Sequence, residues 1–287
     1  MGVYPRLVKS NAPGPKKRFG QHFLRDTGVL DRIVRWIQPA QDDVFMEIGA
    51  GDGSLSSRLA PRVARLLAVE IDADRIPRLQ EVLQPFQSAQ IIEGDILQLD
   101  FSGPVAECLT TGRQLRIAGN LPYNIATAII EKLLHGRLPV RDMFFMVQLE
   151  VAQRITARPG SRQYGFLSVD CQHHSEVQFG FKVSPACFVP RPQVSSAMIS
   201  LRPKQWDSEW ASEFEAIAKA AFSYRRKTLS NSLARHPVFG KIVHDFLSRA
   251  GIDGGRRAEE LSVQEYEHLA CVYKNYKHSK ATNQKPE

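Results

Sequence analysis

The sequence predicts an α/β fold: an open, mostly parallel sheet with antiparallel strands at one edge, followed by a smaller α-helical C-terminal domain. Three observations carry this. Short apolar runs alternate with segments of helical periodicity between Thr27 and Val147. The first of those runs ends in a glycine-rich turn, Gly49-Ala50-Gly51-Asp52-Gly53. After about residue 160 strand-like segments follow one another, and from Trp206 the pattern turns helical.

In order, Val29, Leu30, Ile33, Val34 and Ile37 recur at helical spacing and predict a helix over 27–37. Val44-Phe45-Met46-Glu47-Ile48 reads as a buried strand running into the glycines. A helix should follow, with Leu55, Leu59 and Val63 on one face. Arg65–Glu70 is the second strand, Arg75–Leu83 the next helix, Ile91–Asp95 the third strand, Leu115–Ala118 the fourth and Met143–Val147 the fifth. Phe166–Gln172, Glu176–Val183 and Ser195–Leu201 read as edge strands. Phe214, Ile217, Ala221 and Phe222 share a helical face, and Val238–Arg249 and Ser262–Tyr276 are further helices. The domain boundary is placed near Pro203–Asp207, giving a sheet domain of 1–205 and a helical domain of 206–287.

The 287 residues, 43% hydrophobic and 24% charged, suit two globular domains and exclude disordered or collagen-like classes. No apolar run is long enough to cross a membrane, and the first 30 residues are basic without an apolar block. No membrane partner and a cytoplasmic location are therefore expected. The four cysteines are scattered, with no C-x-x-C pair, which supports neither a zinc ribbon nor a disulfide framework. His173-His174 lack a carboxylate or Cys partner at ligand spacing, so they read as strand residues and no metal is expected. The net charge of +8 is uneven: residues 41–100 carry eleven acids and five Lys/Arg, whereas 1–40 and 101–204 each net +6. A basic chain of this kind suits a polyanionic partner.

Three acids fall near the carboxyl edge of the predicted sheet. Glu47 precedes the turn, Glu70 ends the second strand 21 residues after Gly49, and Asp95 ends the third. The dinucleotide pattern G-x-G-x-x-G fails at Ser54. An acid before the turn would repel a pyrophosphate but suits a zwitterionic or cationic ligand. Glu70 is placed to accept from ribose hydroxyls and Asp95 from an adenine amino group. Together these describe a pocket for S-adenosyl-L-methionine.

Asn120-Leu121-Pro122-Tyr123 follows the fourth strand at the same edge. An adenine N6 amine is a poor nucleophile, because its lone pair is delocalised into the ring. Acceptors on both N–H bonds, the Asn120 side-chain carbonyl and a loop carbonyl held by Pro122, would localise that pair. Tyr123 offers a face for a flipped-out base.

At these residues the sequence resembles the ribosomal RNA adenine N6-dimethyltransferases. Glu47–Gly53, Glu70, Asp95 and Asn120–Tyr123 match that family's motifs. So do Arg18–Leu24, Phe188–Ser196, Phe222–Lys227 with Asn231 and Leu233, and Gly251–Asp253 with Arg257–Glu259. The resemblance spans residue 16 to about 270 and is to the bacterial small-subunit branch. It implies a Rossmann-like S-adenosylmethionine-dependent sheet and dimethylation of two adjacent adenosines near the 3′ end of 16S rRNA in a small-subunit precursor; a monomer is expected. By position it implies cofactor contacts from His22, Leu24, Gly49, Gly51, Glu70, Asp95 and Asn120. It places Asn120, Leu121, Pro122 and Tyr123 around the target amine, with Phe188 stacking on the flipped base. Lys16, Lys17, Arg18, Arg225, Arg226 and Lys227 would contact phosphates, the last three from a helix.

Other readings stay open: a large-subunit rRNA or DNA adenine N6-methyltransferase, or a ribosome-assembly factor that keeps the fold without catalysis. Leu121 and the Phe188 loop favour the small-subunit branch. The intact Asn120, Tyr123, Glu70 and Asp95 favour catalysis.

Overall fold

The computed structural model describes residues 21–282 except 137, 205–207 and 225. Strand β1 (Phe23–Leu24) leads into α1 (Thr27–Ile37), β2 (Val44–Ile48), α2 (Ser56–Leu59), β3 (Arg65–Glu70), α3 (Ile76–Leu83) and β4 (Ala89–Glu93). Then come α4 (Ser102–Thr111), β5 (Leu115–Asn120), α5 (Ala126–His135), β6 (Val140–Gln148), α6 (Leu149–Ile155) and α7 (Phe166–His174). The chain continues through β7 (Ser175–Val183), β8 (Phe188–Val189) and β9 (Ser196–Pro203), and closes with α8 (Ala211–Phe222), α9 (Leu229–Leu233), α10 (Val243–Arg249) and α11 (Val263–Thr282).

The main sheet has the order β4-β3-β2-β5-β6-β9-β7, and its first five strands run parallel. Parallel strands covered on both faces become continuous apolar runs, and β2 is buried along its whole length. The strand order reverses beside β2, with β3 on one side and β5 on the other. In open α/β sheets ligands bind at such a switch point, outside the carboxyl ends of the strands. Asp26 caps α1 by accepting from Val29 N–H at 2.9 Å, and Leu30, Ile33 and Ile37 bury the inner face of that helix. A short second sheet pairs β1 antiparallel with β8, Phe23 opposite Val189 and Leu24 opposite Phe188.

The described residues fall into two compact units: those up to Leu149 with Gly180–Ser200, and Glu150–Phe179 with those from Leu201 onward. The division is therefore not a single cut near residue 205. Tyr164 and Val169 are buried in a core with Phe214, Ile217, Leu233, Phe246 and Tyr266, which draws α7 into the helical unit. No described helix is long and apolar enough to cross a membrane.

Three local expectations are corrected. Phe166–Gln172 is helix, not strand, and His173 and His174 lie on that helix. The Gly165 N–H donates to Ser168 Oγ at 3.0 Å and starts the helix. Seven of its nine residues are buried. A helix buried on most faces shows no amphipathic period and mimics a short strand. The helix expected through Val63 stops at Leu59, gives way to a 3₁₀ turn containing Pro61, and leaves Val63 extended at φ −130°. Arg226 and Lys227 sit in the turn between α8 and α9, not on a helix. Lys16, Lys17, Arg18 and Arg225 lie outside the described residues.

At the end of the sheet opposite the glycine turn, Arg116 on β5 is 2% exposed. Its Nε donates to Asp142 Oδ1 at 2.7 Å, its Nη1 to Asp43 at 2.5 Å, and its Nη2 to the Ile37 carbonyl at 2.7 Å. The guanidinium also lies 4.7 Å from the Phe45 ring centroid. Removing one partner of such a buried set strands the other charges without solvent. Arg116→Met is therefore expected to lower stability by about 3–5 kcal/mol, read by urea denaturation. A loss below about 1 kcal/mol would show that the carboxylates find other partners.

Candidate active site at the carboxyl edge of the sheet

Strand β2 ends in the turn, where Gly49, Gly51 and Gly53 have φ of 71°, 56° and 78°. These left-handed conformations favour glycine. At Gly51 a Cβ would also come within 3.0 Å of the Phe23 ring, so the turn and β1 approach as closely as backbone allows. The Gly49 and Ala50 N–H groups both donate to the Val69 carbonyl, at 2.9 and 3.1 Å, which ties the turn to β3.

Glu70 ends β3 and is 4% exposed. One carboxylate oxygen accepts from Gly51 N–H at 2.7 Å and the other from Asp72 N–H at 2.8 Å. Burial pushes its pKa up against the pull of these bonds. Asp95 lies two residues beyond β4, where its Oδ1 accepts from Leu97 N–H at 2.9 Å. Glu47, on β2, is buried and accepts from the Ser56 hydroxyl at 2.5 Å. Desolvation raises its pKa to about 8. It is neutral at pH 7, so of the three acids near the turn it adds no charge for a cation.

Asn120 ends β5, and its Nδ2 donates to the His22 carbonyl at 2.8 Å. A carbonyl can only accept, so this bond turns the amide nitrogen toward His22 and leaves Asn120 Oδ1 toward other donors. Leu121 is 1% exposed, and its N–H is held by the Met146 carbonyl at 3.0 Å. Leu121 therefore anchors the loop. Pro122 follows it, and the Tyr123 hydroxyl bonds Ser196 Oγ at 2.6 Å. Burial raises the Tyr123 pKa, which keeps the phenol neutral.

A cleft of about 510 Å³ is lined by Gln21, His22, Gly49, Gly51, Glu70, Asn120 and Tyr123, among others. A smaller one of about 320 Å³ shares Gly49, Ile71 and Pro122 with it and adds Asp95 and Ile96. Leu24 and Glu47 line a third cleft with Leu30 and Phe144. The sequence-derived residues His22, Gly49, Gly51, Glu70, Asn120, Leu121, Pro122 and Tyr123 thus meet around one cleft, with Asp95 at the next. Phe188 does not join them. It is 2% exposed and packs in the core beside Leu24 and Leu30. The ring against Tyr123 is instead that of His22, at 5.3 Å between centroids and 28° between planes. The His22 Nδ1–H donates to the Pro190 carbonyl at 2.9 Å. Gln21 and Ser196 fall within the matched motifs but had no site role there, and Ile71 had no signal of its own, because each reaches the site through the register of another element.

The family model for ribosomal RNA adenine dimethylases matches residues 14–275. The chain belongs to that family. A ribosomal RNA small subunit methyltransferase A of Chromohalobacter salexigens is 44% identical, over 93% of this chain and 94% of its own. One from Legionella pneumophila is 42% identical over 91% and 98%. The fold agrees with the crystal structure of a dimethyladenosine transferase from Plasmodium falciparum, with a TM-score of 0.77 and 23% identity over 88% of this chain and 98% of that one. The Rossmann-like methyltransferase sheet expected from the sequence is the fold observed.

The buried Glu47 carboxyl has a pH signature. Between its ordinary value of 4.5 and about 8, the folded protein holds a proton that the unfolded chain has released. Stability contributed by this group therefore falls as pH rises through that window. Glu47→Gln should remove that slope, so the variant loses less stability than wild type between pH 5 and pH 8.5 in parallel urea titrations. Identical slopes would mean that Glu47 is ionised in the fold.

Proposed function

We propose that this protein transfers methyl groups from S-adenosyl-L-methionine to the N6 amines of two adjacent adenosines in the 3′-terminal hairpin of 16S rRNA, during small-subunit biogenesis. One observation carries the reading: the glycine turn, the Glu70 carboxylate and the Asn120 amide line the same cleft. The names of the relatives above support the small-subunit substrate.

The cleft suits the cofactor on its own chemistry. Glu70 is held by two backbone N–H groups and keeps further acceptor capacity toward a ribose. Asp95 lines the neighbouring cleft with Ile71 and Ile96 and would accept from an exocyclic amino group. The cofactor would supply an electrophilic methyl group. Asn120 Oδ1 accepts one N–H of the target amine, and a carbonyl of the 120–123 loop accepts the other. Both draw the nitrogen toward a tetrahedral shape, in which its lone pair is available for attack. No side chain is needed as a general base, because the amine proton becomes strongly acidic once nitrogen carries the fourth bond. Tyr123, neutral and held by Ser196, offers its face to the base, and His22 must yield that face when the base arrives.

Mapping 16S rRNA methyl groups by mass, with and without the protein, tests the reading. Two adjacent dimethyladenosines should appear only with the protein. Methylation confined to the large-subunit RNA, or none, would overturn it.

Two substitutions should separate chemistry from binding. Asn120→Ala is expected to abolish transfer while cofactor affinity largely survives. Glu70→Ala is expected to weaken cofactor binding by about 1.5–3 kcal/mol, the range for hydrogen bonds to a charged group. Calorimetry with S-adenosylhomocysteine reads the affinities, and methyl incorporation into small-subunit RNA reads the transfer rates. An unchanged dissociation constant in Glu70→Ala sinks the ribose assignment, and wild-type rates in Asn120→Ala sink the amine assignment.

Arg226 and Lys227 are exposed, as phosphate contacts should be. Changing Arg225, Arg226 and Lys227 together to Ala should weaken subunit binding. It should also flatten the salt dependence by about 0.7–0.9 in log–log slope per lost phosphate contact. If a salt titration gives the wild-type slope, the turn is a solvated surface and not an RNA contact.

A further inference from the structure

Residues Gln21 to Arg25 cross the mouth of the cleft as a strap. Gln21, His22 and Phe23 line it together with Gly51, Glu70 and Asn120. The strap pairs with β8 through Phe23 and Leu24 on one side, and on the cleft side it is tied at both ends. Gln21 Nε2 donates to Asp72 Oδ2 at 2.9 Å, and Arg25 forms an ion pair with Asp52 of the glycine turn. Between the ties, the Phe23 ring covers Gly51 and lies 4.5 Å from the Arg75 guanidinium.

Arg75 is the unusual member of this group. Its side chain is 3% exposed, and it sits 3.1 Å from Asp52 and 3.7 Å from Asp72. Its Nε and Nη2 make no hydrogen bond. Apart from the hydrogen bond that its Nη1 donates to Asp52, this buried guanidinium is held by charge, between two acids that are also the tie points of the strap. Asp52, itself 3% exposed at the side chain, therefore faces two cations, one fixed from below and one carried by the strap. Arg25 is the only one of the three side chains with substantial solvent access, at 32%. It is the member able to leave while Arg75 continues to compensate Asp52.

We propose that Arg25, Asp52 and Arg75 form an ionic latch that holds the strap closed over the cofactor, with Arg25 as the releasing arm. This rests on the cofactor reading given above. Opening the latch frees Phe23 from Gly51 and draws away the His22 carbonyl that orients the Asn120 amide. On this proposal Arg25 and Asp52 are positioning residues: Asp52 is taken up by its two cations, and the pair acts through Phe23 and His22. Salt ions compete with Asp52 for the partly exposed Arg25, so the latch makes cofactor release depend on ionic strength, which simple packing of an aromatic lid would not do.

The test uses the full chain with Arg25→Gln and Arg25→Lys, substitutions at a partly exposed side chain that leave the buried Asp52–Arg75 pair in place. In ligand-free protein, backbone amide exchange over 21–25 should speed up in Arg25→Gln. Release of S-adenosylhomocysteine, followed by stopped-flow displacement, should be about five- to tenfold faster than in wild type at low salt, the scale of one partly buried charged pair. Wild-type release should accelerate with added salt and converge on the variant, whose rate stays flat. Arg25→Lys should recover most of the slow release. On an Asp52→Asn background, where that protein folds, Arg25→Gln should add nothing. Wild-type release and salt dependence in Arg25→Gln, or additive effects of the two substitutions, would overturn the latch while leaving the cofactor reading intact. A wild-type protein that fails to bind S-adenosylhomocysteine would overturn both.

Discussion

The Gly51 amide donates to the Glu70 carboxylate at 2.7 Å across the ends of β2 and β3, and the rest of the site is arranged around that bond. It needs a residue at position 51 with positive φ and no side chain, because the Phe23 ring occupies the space above. It needs β2 and β3 parallel and in register, so that Ile48 stands opposite Val69 and both chains leave the sheet at one level. It also needs Glu70 to be buried, which raises its proton affinity while the two amide donors oppose that rise. A carboxylate pre-set by backbone donors costs little reorganisation when a ribose arrives, which is the advantage of building such a site on strand ends.

Charge is handled differently at the two ends of the sheet. Opposite the site, Arg116 gathers Asp43, Asp142 and the carbonyl end of α1, and every one of these groups is paired. That set aligns β5 with β6 and with the segment entering β2. It is a specifying device more than a source of stability, since buried ion pairs repay little beyond their desolvation. At the site end, Glu47 is kept neutral beside Ser56, while Asp52 and Asp72 compensate Arg75. With one acid neutral and two others paired to arginine, Glu70 and Asp95 line the two clefts that Gly49 and Pro122 share.

His22 links the two halves of the chemistry. Its carbonyl fixes the Asn120 amide, and its ring covers Tyr123. The strap therefore orients the group that polarises the amine while it occupies the surface on which the base would stack. On the proposals above, entry of the base and retention of the cofactor would both involve residues 21–25. Ser196, at the start of β9, holds Tyr123 from the other side, so the ring keeps its place when His22 moves.

Much of this was legible in the chain. The parallel core strands showed themselves as apolar runs, because both faces are covered. The glycine turn, Glu70, Asp95 and Asn120–Tyr123 stood out because strand ends in such a sheet share one edge, so spacing along the chain translates into proximity. Other features were decided only by tertiary structure. Helix α7 resembled a strand because burial on most faces erased its period. Phe188 read as a stacking ring, yet pairing of β8 with β1 turns it into the core. His22 took its place against Tyr123 through a contact spanning about a hundred residues of chain. Arg25 and Arg75 carry no local pattern, and the turn that contains Asp52 does not reveal that it pairs with both. Local sequence specifies periodicity and turn chemistry, which depend on near neighbours. Which side chains face one another across the cleft depends on strand order and register, and these are set by the packing of the whole sheet.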